Sequence, residues 1–209
     1  MIVESFPVGP LQCNCSIIGC SETGQAAVID PGGDVELILA FCKKNNLQVK
    51  YLLHTHAHFD HILGSRAMRE ATGAQICLHK KDEQLYQNLG MQCQMFGFDY
   101  DEPLPIDHYL NDEEELTIGK SKTTALFTPG HTPGSTCFQL SDKESVLFAG
   151  DTLFQGSIGR TDLWGGSFDD IIKSIKSKLL TLDDSTRVVA GHGPDTTIWS
   201  ERRKNPYLS

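Results

Sequence analysis

One six-residue segment, His-Ala-His-Phe-Asp-His at residues 56–61, constrains this chain more than any other feature. It directly follows an apolar run at residues 49–53, which predicts a buried strand. In an extended chain, side chains two residues apart point the same way, so His56 and His58 can bind one cation together. Four ionisable groups this close repel one another unless a cation binds them. The segment therefore predicts a metal site, and a turn at Asp60–His61 favours two adjacent metals over one.

Three further candidate ligands stand beside glycines at the ends of other apolar runs. His131 lies in a Pro-Gly-His-Thr-Pro-Gly loop, while Asp151 and His192 each follow a glycine at the end of a short buried run. Side chains at strand ends can converge without disturbing a core, and glycine neighbours allow close backbone approach. Imidazole and carboxylate ligands together suit zinc, iron or manganese. The remaining histidines are predicted to have no metal role: His54, His79 and His108.

Composition and charge narrow the function classes. The 209 residues are 39% hydrophobic and 22% charged, as in a folded chain with a substantial core. The net charge of −9 argues against a nucleic-acid partner, because an acidic surface repels phosphates. The longest apolar run, residues 37–42, is too short to cross a bilayer, and the first residues carry no signal-like stretch. We expect a cytoplasmic protein without membrane or nucleic-acid partners. The oligomeric state stays open at the level of sequence.

Short apolar runs alternate with amphipathic helical patterns along the chain. Strands are predicted at residues 13–19, 26–29, 49–53, 75–78, 122–127, 136–140, 146–148 and 187–190. Helices are predicted at residues 34–42, 60–72 and 168–180, and from residue 196 onward. The eight acids of residues 99–115 predict a solvated loop. The absence of a Ser/Gly linker predicts one α/β domain, residues 1–209. Seven cysteines without a Cys-x-x-Cys pair predict buried, reduced thiols.

The 56–61 segment, followed by His131, Asp151 and His192 in this order, resembles the metallo-β-lactamase fold superfamily. Within it, the chain is most similar to short bacterial glyoxalase II-like (hydroxyacylglutathione hydrolase-like) hydrolases. Four strings carry the closer resemblance: Thr-Pro-Gly-His-Thr-Pro-Gly-Ser at 128–135, Gly-Asp-Thr-Leu-Phe at 150–154, Gly-Arg-Thr-Asp at 159–162 and Gly-His-Gly-Pro at 191–194. The resemblance covers nearly the whole chain. It implies an αβ/βα four-layer sandwich, in which two mixed β-sheets lie face to face, flanked by helices.

The resemblance also implies a role for each candidate ligand. It assigns seven ligands: His56, His58 and His131 to a first metal, Asp60, His61 and His192 to a second, and Asp151 to a bridge between them. Two divalent ions are then expected, zinc first, with iron or manganese as alternatives. The implied activity is hydrolysis of a thioester such as S-D-lactoylglutathione. A metal-bridging hydroxide, which Asp60 also orients, would attack the carbonyl carbon.

Two side chains outside the ligand set have open roles. Asp30 ends an apolar run just before a proline, where it either orients a ligand histidine or starts a turn. Arg160 either binds a substrate carboxylate or forms an internal pair with Asp162. Both alternatives stay open at the level of sequence.

Other activities compete with thioester hydrolysis. Persulfide dioxygenases resemble the chain too, and their single iron would be held here by His56, His131 and Asp151. A non-catalytic module is disfavoured because all seven ligand positions are intact. The commonest zinc β-lactamases have a cysteine at the position of Asp151, which argues against lactam hydrolysis as the main activity. Longer glyoxalase II enzymes add a C-terminal helical region that helps hold glutathione. Only 17 residues follow His192 here, so the thiol part of the substrate stays open.

Overall fold

The N-terminal half of the chain forms the first of two six-stranded sheets, in a computed structural model that describes residues 1–142 and 144–208. Its strands lie side by side in chain order: β1 (Ile2–Val8), β2 (Cys13–Gly19), β3 (Gln25–Ile29), β4 (Gln48–Leu53), β5 (Gln75–His79) and β6 (His108–Leu110). The first three strands pair antiparallel, and β3 to β6 pair parallel. The carboxyl ends of β3 to β6 therefore share one edge of the sheet.

The second sheet forms from the other half of the chain. Its strands are β7 (Glu114–Ile118), β8 (Ser121–Phe127), β9 (Thr136–Ser141), β10 (Ser145–Gly150), β13 (Arg187–Ala190) and β14 (Thr196–Thr197), in the order β14-β13-β10-β9-β8-β7. A small hairpin, β11 (Leu153–Phe154) and β12 (Ser157–Ile158), lies outside it. Neighbours pair antiparallel except β10 with β13. Strands β8, β10 and β13 therefore run in one direction and end at one edge.

Helices cover the outer faces of both sheets. They are α1 (Val35–Lys44), α2 (Phe59–Ile62), α3 (Ser65–Thr72), α4 (Glu83–Gln87), α5 (Leu89–Phe96), α6 (Phe168–Ser174) and α7 (Ile198–Lys204). A 3₁₀ turn, Lys80–Asp82, precedes α4, and a π-helical turn, Ile175–Leu179, extends α6. Among the described residues, no helix combines the length and the apolar character needed to cross a membrane.

Three apolar clusters separate the layers. The period of two along β3 divides its side chains: Ala26 and Val28 pack against the helices, while Ala27 and Ile29 face the second sheet. Phe138 and Phe148 complete the cluster between the sheets. Ile171 and other residues of the 168–179 helix cover the outer face of the second sheet. The molecule is thus the predicted four-layer αβ/βα sandwich, two mixed sheets flanked by helices, and the α/β fold class is confirmed.

The eight predicted strands agree with the structure to within two residues at each end, and all seven cysteines are free and buried as predicted. The predicted helix over 60–72 is wrong as one element, because the chain breaks between α2 and α3. The break lets the Gly64 N–H donate to the carbonyl of Pro31 at 2.9 Å, an approach that tertiary packing imposes.

The predicted loop over 99–115 is wrong in part, because it contains β6 and the start of β7. Along β7 the side chains of Leu116 and Ile118 are buried, while those of Glu115 and Thr117, which alternate with them, are exposed. This period of two is typical of a strand with one solvated face, and the high number of acids hides it in the sequence. Helices α4 and α5 lie in a stretch for which we predicted no individual element.

Candidate metal centre

The seven predicted ligands lie on four loops at one edge of the sandwich. The loop after β4, together with α2, carries four of them: His56, His58, Asp60 and His61. The loops after β8, β10 and β13 carry one each: His131, Asp151 and His192. Since β8, β10 and β13 run in the same direction, their loops all emerge at the edge where β4 ends. The topology of both sheets therefore brings these side chains together.

The side chains form two groups of three with one carboxylate between them. One ligand atom from each of His56, His58 and His131 lies within 4.8 Å of the other two, and the same holds for Asp60, His61 and His192. Asp151 reaches both groups: its Oδ1 is 3.5 Å from His61 Nε2, and its Oδ2 is 3.6 Å from His131 Nε2. The structure thus brings together all seven predicted residues, and the roles assigned to them stay predictions.

Hydrogen bonds fix how three of the histidines present their rings. His61 Nδ1 donates to Asp30 Oδ2 at 3.0 Å, and His131 Nδ1 donates to the carbonyl of Arg160 at 2.8 Å. His56 Nδ1 lies 3.0 Å from the hydroxyl of Thr55, which itself donates to Asp30 and therefore accepts from His56. The rings of His56 and His131, whose pKa values burial lowers, are left with an unprotonated Nε2, which is the form that ligates a metal. Burial favours the neutral form of His61 too, but Cys13 and the carboxylates of Asp151 and Asp30 raise its pKa, so this ring must release a proton before it can bind a metal.

The electrostatics of the pocket favour the metal-binding forms of His56, His58, His131 and Asp60, whereas the pKa values of His61 and His192 are raised. Burial lowers the pKa of His58 to about 3, and burial likewise lowers the pKa of His56 and His131, so these rings are neutral. Burial opposes ionisation of Asp60, but the hydrogen bond from His192 and the charge of His61 lower its pKa to about 2. Neutral imidazoles and an ionised carboxylate are the states that bind a cation without first releasing protons.

Two atoms at the centre test whether a metal fits. His56 Nε2 and Asp151 Oδ1 are buried and have no hydrogen-bond partner among the described residues. A buried polar atom without a partner is costly, and nearly all such atoms in proteins are satisfied. The two residues, His56 and Asp151, belong to one group of candidate ligands, with His61 as its third member. A divalent cation would satisfy both atoms, so the residues present fit the metals that the resemblance implies.

The two side chains with open roles are both paired. Asp30 is 1% exposed and accepts the Thr55 N–H at 2.8 Å as well as the His61 ring N–H. Its own carbonyl also accepts the N–H of Gly32, so it lies in a turn and beside a ligand at once. Arg160 forms the internal pair with Asp162, at 2.8 and 2.9 Å, on the surface. Its substrate role stays a prediction.

The three histidines excluded from the site have other contacts. His54 is buried with its Nε2 3.2 Å from Ser65 Oγ, His79 stacks on Phe127, and His108 pairs with Glu114 at 2.6 Å. None of the three belongs to a group of candidate metal ligands in residues 1–142 and 144–208.

Sequence reasoning missed several side chains that support the site. Gln92 on α5 accepts the Phe59 N–H and donates to the carbonyl of Ala57, at 3.0 and 3.1 Å. Asp82 is buried and contacts both the 56–61 and the 131–135 segments. Asp82 belongs to the charged run 80–83, which is typical of a solvated turn, so its burial is not visible in the sequence. No sequence pattern marks Gln92 as a support of the site.

An apolar cavity of about 330 Å³ adjoins Gln92. Met91 and Met95 of α5 line it from one side and Trp164 from the other, and Gln92 contributes to the first wall. Trp164 belongs to the loop whose Arg160 carbonyl contacts His131. The cavity therefore lies between two elements that each contact a predicted ligand loop.

Comparison with known proteins agrees with this geometry. The family model of the metallo-beta-lactamase superfamily matches residues 8–192. Hydroxyacylglutathione hydrolase GloC of Haemophilus influenzae is 40% identical over 211 residues, which cover 100% of this chain and 99% of that protein. The solved BLEG-1 B3 metallo-beta-lactamase is 38% identical with a TM-score of 0.91, and each chain covers 100% of the other. TTHA1623 in a di-iron-bound form is 35% identical with a TM-score of 0.86, over 99% of this chain and 100% of that one. The resemblance read from the motifs is confirmed, and the chain belongs to the metallo-beta-lactamase superfamily.

Proposed function

We propose that this metal-dependent hydrolase uses two divalent cations to cleave a thioester such as S-D-lactoylglutathione. The observation that carries the proposal is the arrangement of the ligand atoms in two groups of three, with Asp151 between them. The similarity to hydroxyacylglutathione hydrolase GloC over the whole length of both chains supports the choice of a thioester.

We propose the division of ligands that the resemblance implies. His56, His58 and His131 would hold the first metal and Asp60, His61 and His192 the second, with Asp151 shared by both. When bound, the two cations would supply a hydroxide near neutral pH and polarise the thioester carbonyl. Zinc suits this mixture of imidazole and carboxylate. The di-iron form of the TTHA1623 relative supports iron as an alternative, and manganese stays a third.

The remaining chemistry falls to the chain's own side chains. Burial opposes ionisation of Asp60, but its polar surroundings lower its pKa to about 2, so this carboxylate can accept a hydrogen bond from the attacking water and orient it. A thiolate departs without prior protonation, because thiols have a pKa of about 8.5. The reaction therefore needs no separate general acid. Because water is the nucleophile, it also needs no serine or cysteine nucleophile.

The surroundings favour a small thioester with an apolar portion. Met95 and Trp164, which are 77% and 54% exposed, line the cavity beside the site and would contact that portion. Arg160 lies on the loop that contacts His131 and would bind a substrate carboxylate in exchange for Asp162. Turnover of a small thioester in water requires no membrane or nucleic-acid partner.

The test is hydrolysis of S-D-lactoylglutathione by the purified protein, followed at the thioester absorbance with and without a chelator. We expect turnover that the chelator abolishes and that added zinc or iron restores. Thioesters of longer alkanoic acids on the same thiol test the cavity. Trp164→Ala should raise KM for these several-fold, whereas Trp199→Ala, which removes an exposed tryptophan from α7, should leave KM unchanged. No turnover of any thioester by the metal-loaded protein would refute the proposal.

A mononuclear iron persulfide dioxygenase is the rival function. That reaction would use His56, His131 and Asp151 alone, and it leaves Asp60, His61 and His192 grouped without a task. The second group therefore favours the hydrolase. One iron per chain, with oxygen consumption on glutathione persulfide, would reverse the assignment. Because the BLEG-1 relative is described as a β-lactamase, a β-lactam belongs in the same assay, and we expect its turnover to be below that of the thioester.

A further inference from the structure

Asp82 is a buried carboxylate that accepts three hydrogen bonds. It ends the 3₁₀ turn after β5, and it has no exposed surface. Its Oδ2 accepts the Ala57 N–H at 3.1 Å and the Thr132 hydroxyl at 2.7 Å, while its Oδ1 accepts the Gly134 N–H at 2.6 Å. Hydrogen bonds to an ionised acceptor are stronger than those between neutral groups. Asp82 therefore ties two loops to one point.

The two loops that meet at Asp82 carry all three proposed ligands of the first metal. Ala57 lies between His56 and His58, and Thr132 directly follows His131. None of the three donors is adjacent to His192, which completes the second group from another loop. The contacts of Asp82 thus bear on the first metal more directly than on the second.

The loop around His131 is ordered by a chain of hydrogen bonds that ends on Asp82. Ser135 Oγ accepts the Thr132 N–H at 3.0 Å and lies 2.8 Å from the Thr132 hydroxyl. Because that hydroxyl donates to Asp82, it accepts from Ser135. A β-carbon on Gly134 would lie 2.7 Å from the Asp82 carboxyl carbon, so the loop packs directly against the carboxylate. Burial raises the pKa of Asp82 to about 6, which leaves it ionised at neutral pH.

We propose that Asp82 is a positioning residue for the first metal, holding the Ala57 and Thr132 backbones where His56, His58 and His131 can share one cation. The proposal rests on the division of ligands given under the proposed function. An asparagine cannot replace this carboxylate, because all three partners are donors and the amide nitrogen is a donor too. The role is one of geometry, since Asp82 touches neither substrate nor metal.

The chain offers a matched control in Glu201. This carboxylate is 2% exposed and also accepts three hydrogen bonds, from the Gly156 N–H at 2.8 Å, the Thr196 hydroxyl at 2.6 Å and the Asn205 amide at 2.9 Å. None of these donors is adjacent in sequence to a proposed ligand. Asp82→Asn and Glu201→Gln therefore remove comparable buried networks at different distances from the ligand loops.

The experiment measures stepwise zinc affinity of the metal-free protein by competition with a chromophoric chelator, and the absorption spectrum of the cobalt-loaded protein. Wild type should bind two ions. Asp82→Asn should bind one of them about 10–100-fold more weakly, with an altered cobalt spectrum, and the other unchanged. Glu201→Gln should bind both as wild type does. Should Asp82→Asn fail to fold, Thr132→Val removes one of the three donors and should weaken the same ion to a smaller extent.

Three results would overturn the proposal: wild-type affinities for both ions in Asp82→Asn, equal weakening of both ions, or the same change in Glu201→Gln. A wild type that binds a single ion would also overturn it, because the division of ligands would be wrong. Two bound ions without any thioester turnover would refute the proposed thioesterase and leave the role of Asp82 intact.

Discussion

Asp30 is a buried residue beneath the candidate metal centre, and its carboxylate contacts a proposed ligand. Its carboxylate joins the Thr55 N–H, the Thr55 hydroxyl and the ring N–H of His61 at one buried point. We predict that Asp30→Asn weakens the second metal about 10–100-fold, because the ring of His61 loses its charged acceptor. Zinc competition titration measures this. Asp107→Asn is the control. That carboxylate accepts the Ile76 N–H near the start of β5 and pairs with Arg69, and neither partner is a proposed ligand. Equal losses in the two variants would contradict the role.

At this scale the residues that converge on the site could be predicted and their supports could not. His56, Asp151 and the other candidate ligands belong to residue types that bind metals, and their spacing and glycine neighbours are visible in the sequence. Asp82 acts on backbone N–H groups far away in the chain, at Ala57 and Gly134. Such contacts exist only after folding, and no sequence pattern marks their acceptor.

The turn between β3 and α1 packs against α2, which carries two of the proposed ligands. A β-carbon on Gly32 would lie 1.7 Å from the carbonyl oxygen of Asp60 in α2, so the backbones meet where only glycine fits. We predict that Gly32→Ala lowers the free energy of unfolding by about 3 kcal/mol or more and weakens the second metal, because α2 must move. Gly97→Ala is the control: its β-carbon would meet nothing within 4 Å, and its φ of 74° costs about 1 kcal/mol. Chemical denaturation of both variants measures the loss in free energy of unfolding. Equal losses in Gly32→Ala and Gly97→Ala would contradict the predicted clash at Gly32.

Elements could be predicted where local patterns agree with packing. β2 and β4 contribute buried apolar residues to the first sheet, and their predicted bounds were right to within one residue. The break between α2 and α3 follows from the contact of Gly64 with Pro31, which no local pattern contains. β6 and β7 are short strands rich in polar residues, and their pairing with β5 and β8 outweighs their charge.

Acid stability of the whole molecule should report on His54, a buried histidine outside the groups of candidate ligands. Burial lowers the pKa of His54 to about 4, against an ordinary value of 6.5, so folding favours the neutral ring. This stability is fully present above pH 6.5 and is lost as the pH falls through 4, since the unfolded chain binds the proton first. The shift corresponds to about 3 kcal/mol. Denaturant unfolding of metal-free protein should therefore show a smaller acid loss in His54→Gln, which retains a partner for Ser65. Identical pH profiles would show that His54 is accessible to protons in the folded state.

The proposed metals would also join the two sheets. Each group of three combines ligands from the β4 loop and α2 with one from a loop of the second sheet, His131 in one group and His192 in the other. An ion that binds only the folded state adds about 4 kcal/mol to the free energy of unfolding when its free concentration is about 1,000 times its Kd. A chelator should therefore lower Tm, and zinc should restore it. His192→Ala should reduce that shift because it removes a ligand of one ion. His108→Ala, which removes a hydrogen bond with Glu114 away from the site, should leave it unchanged. If the chelator does not change Tm, the ions do not stabilise the contact between the two sheets. The four loops would then be arranged by protein contacts alone, such as those of Asp30 and Asp82.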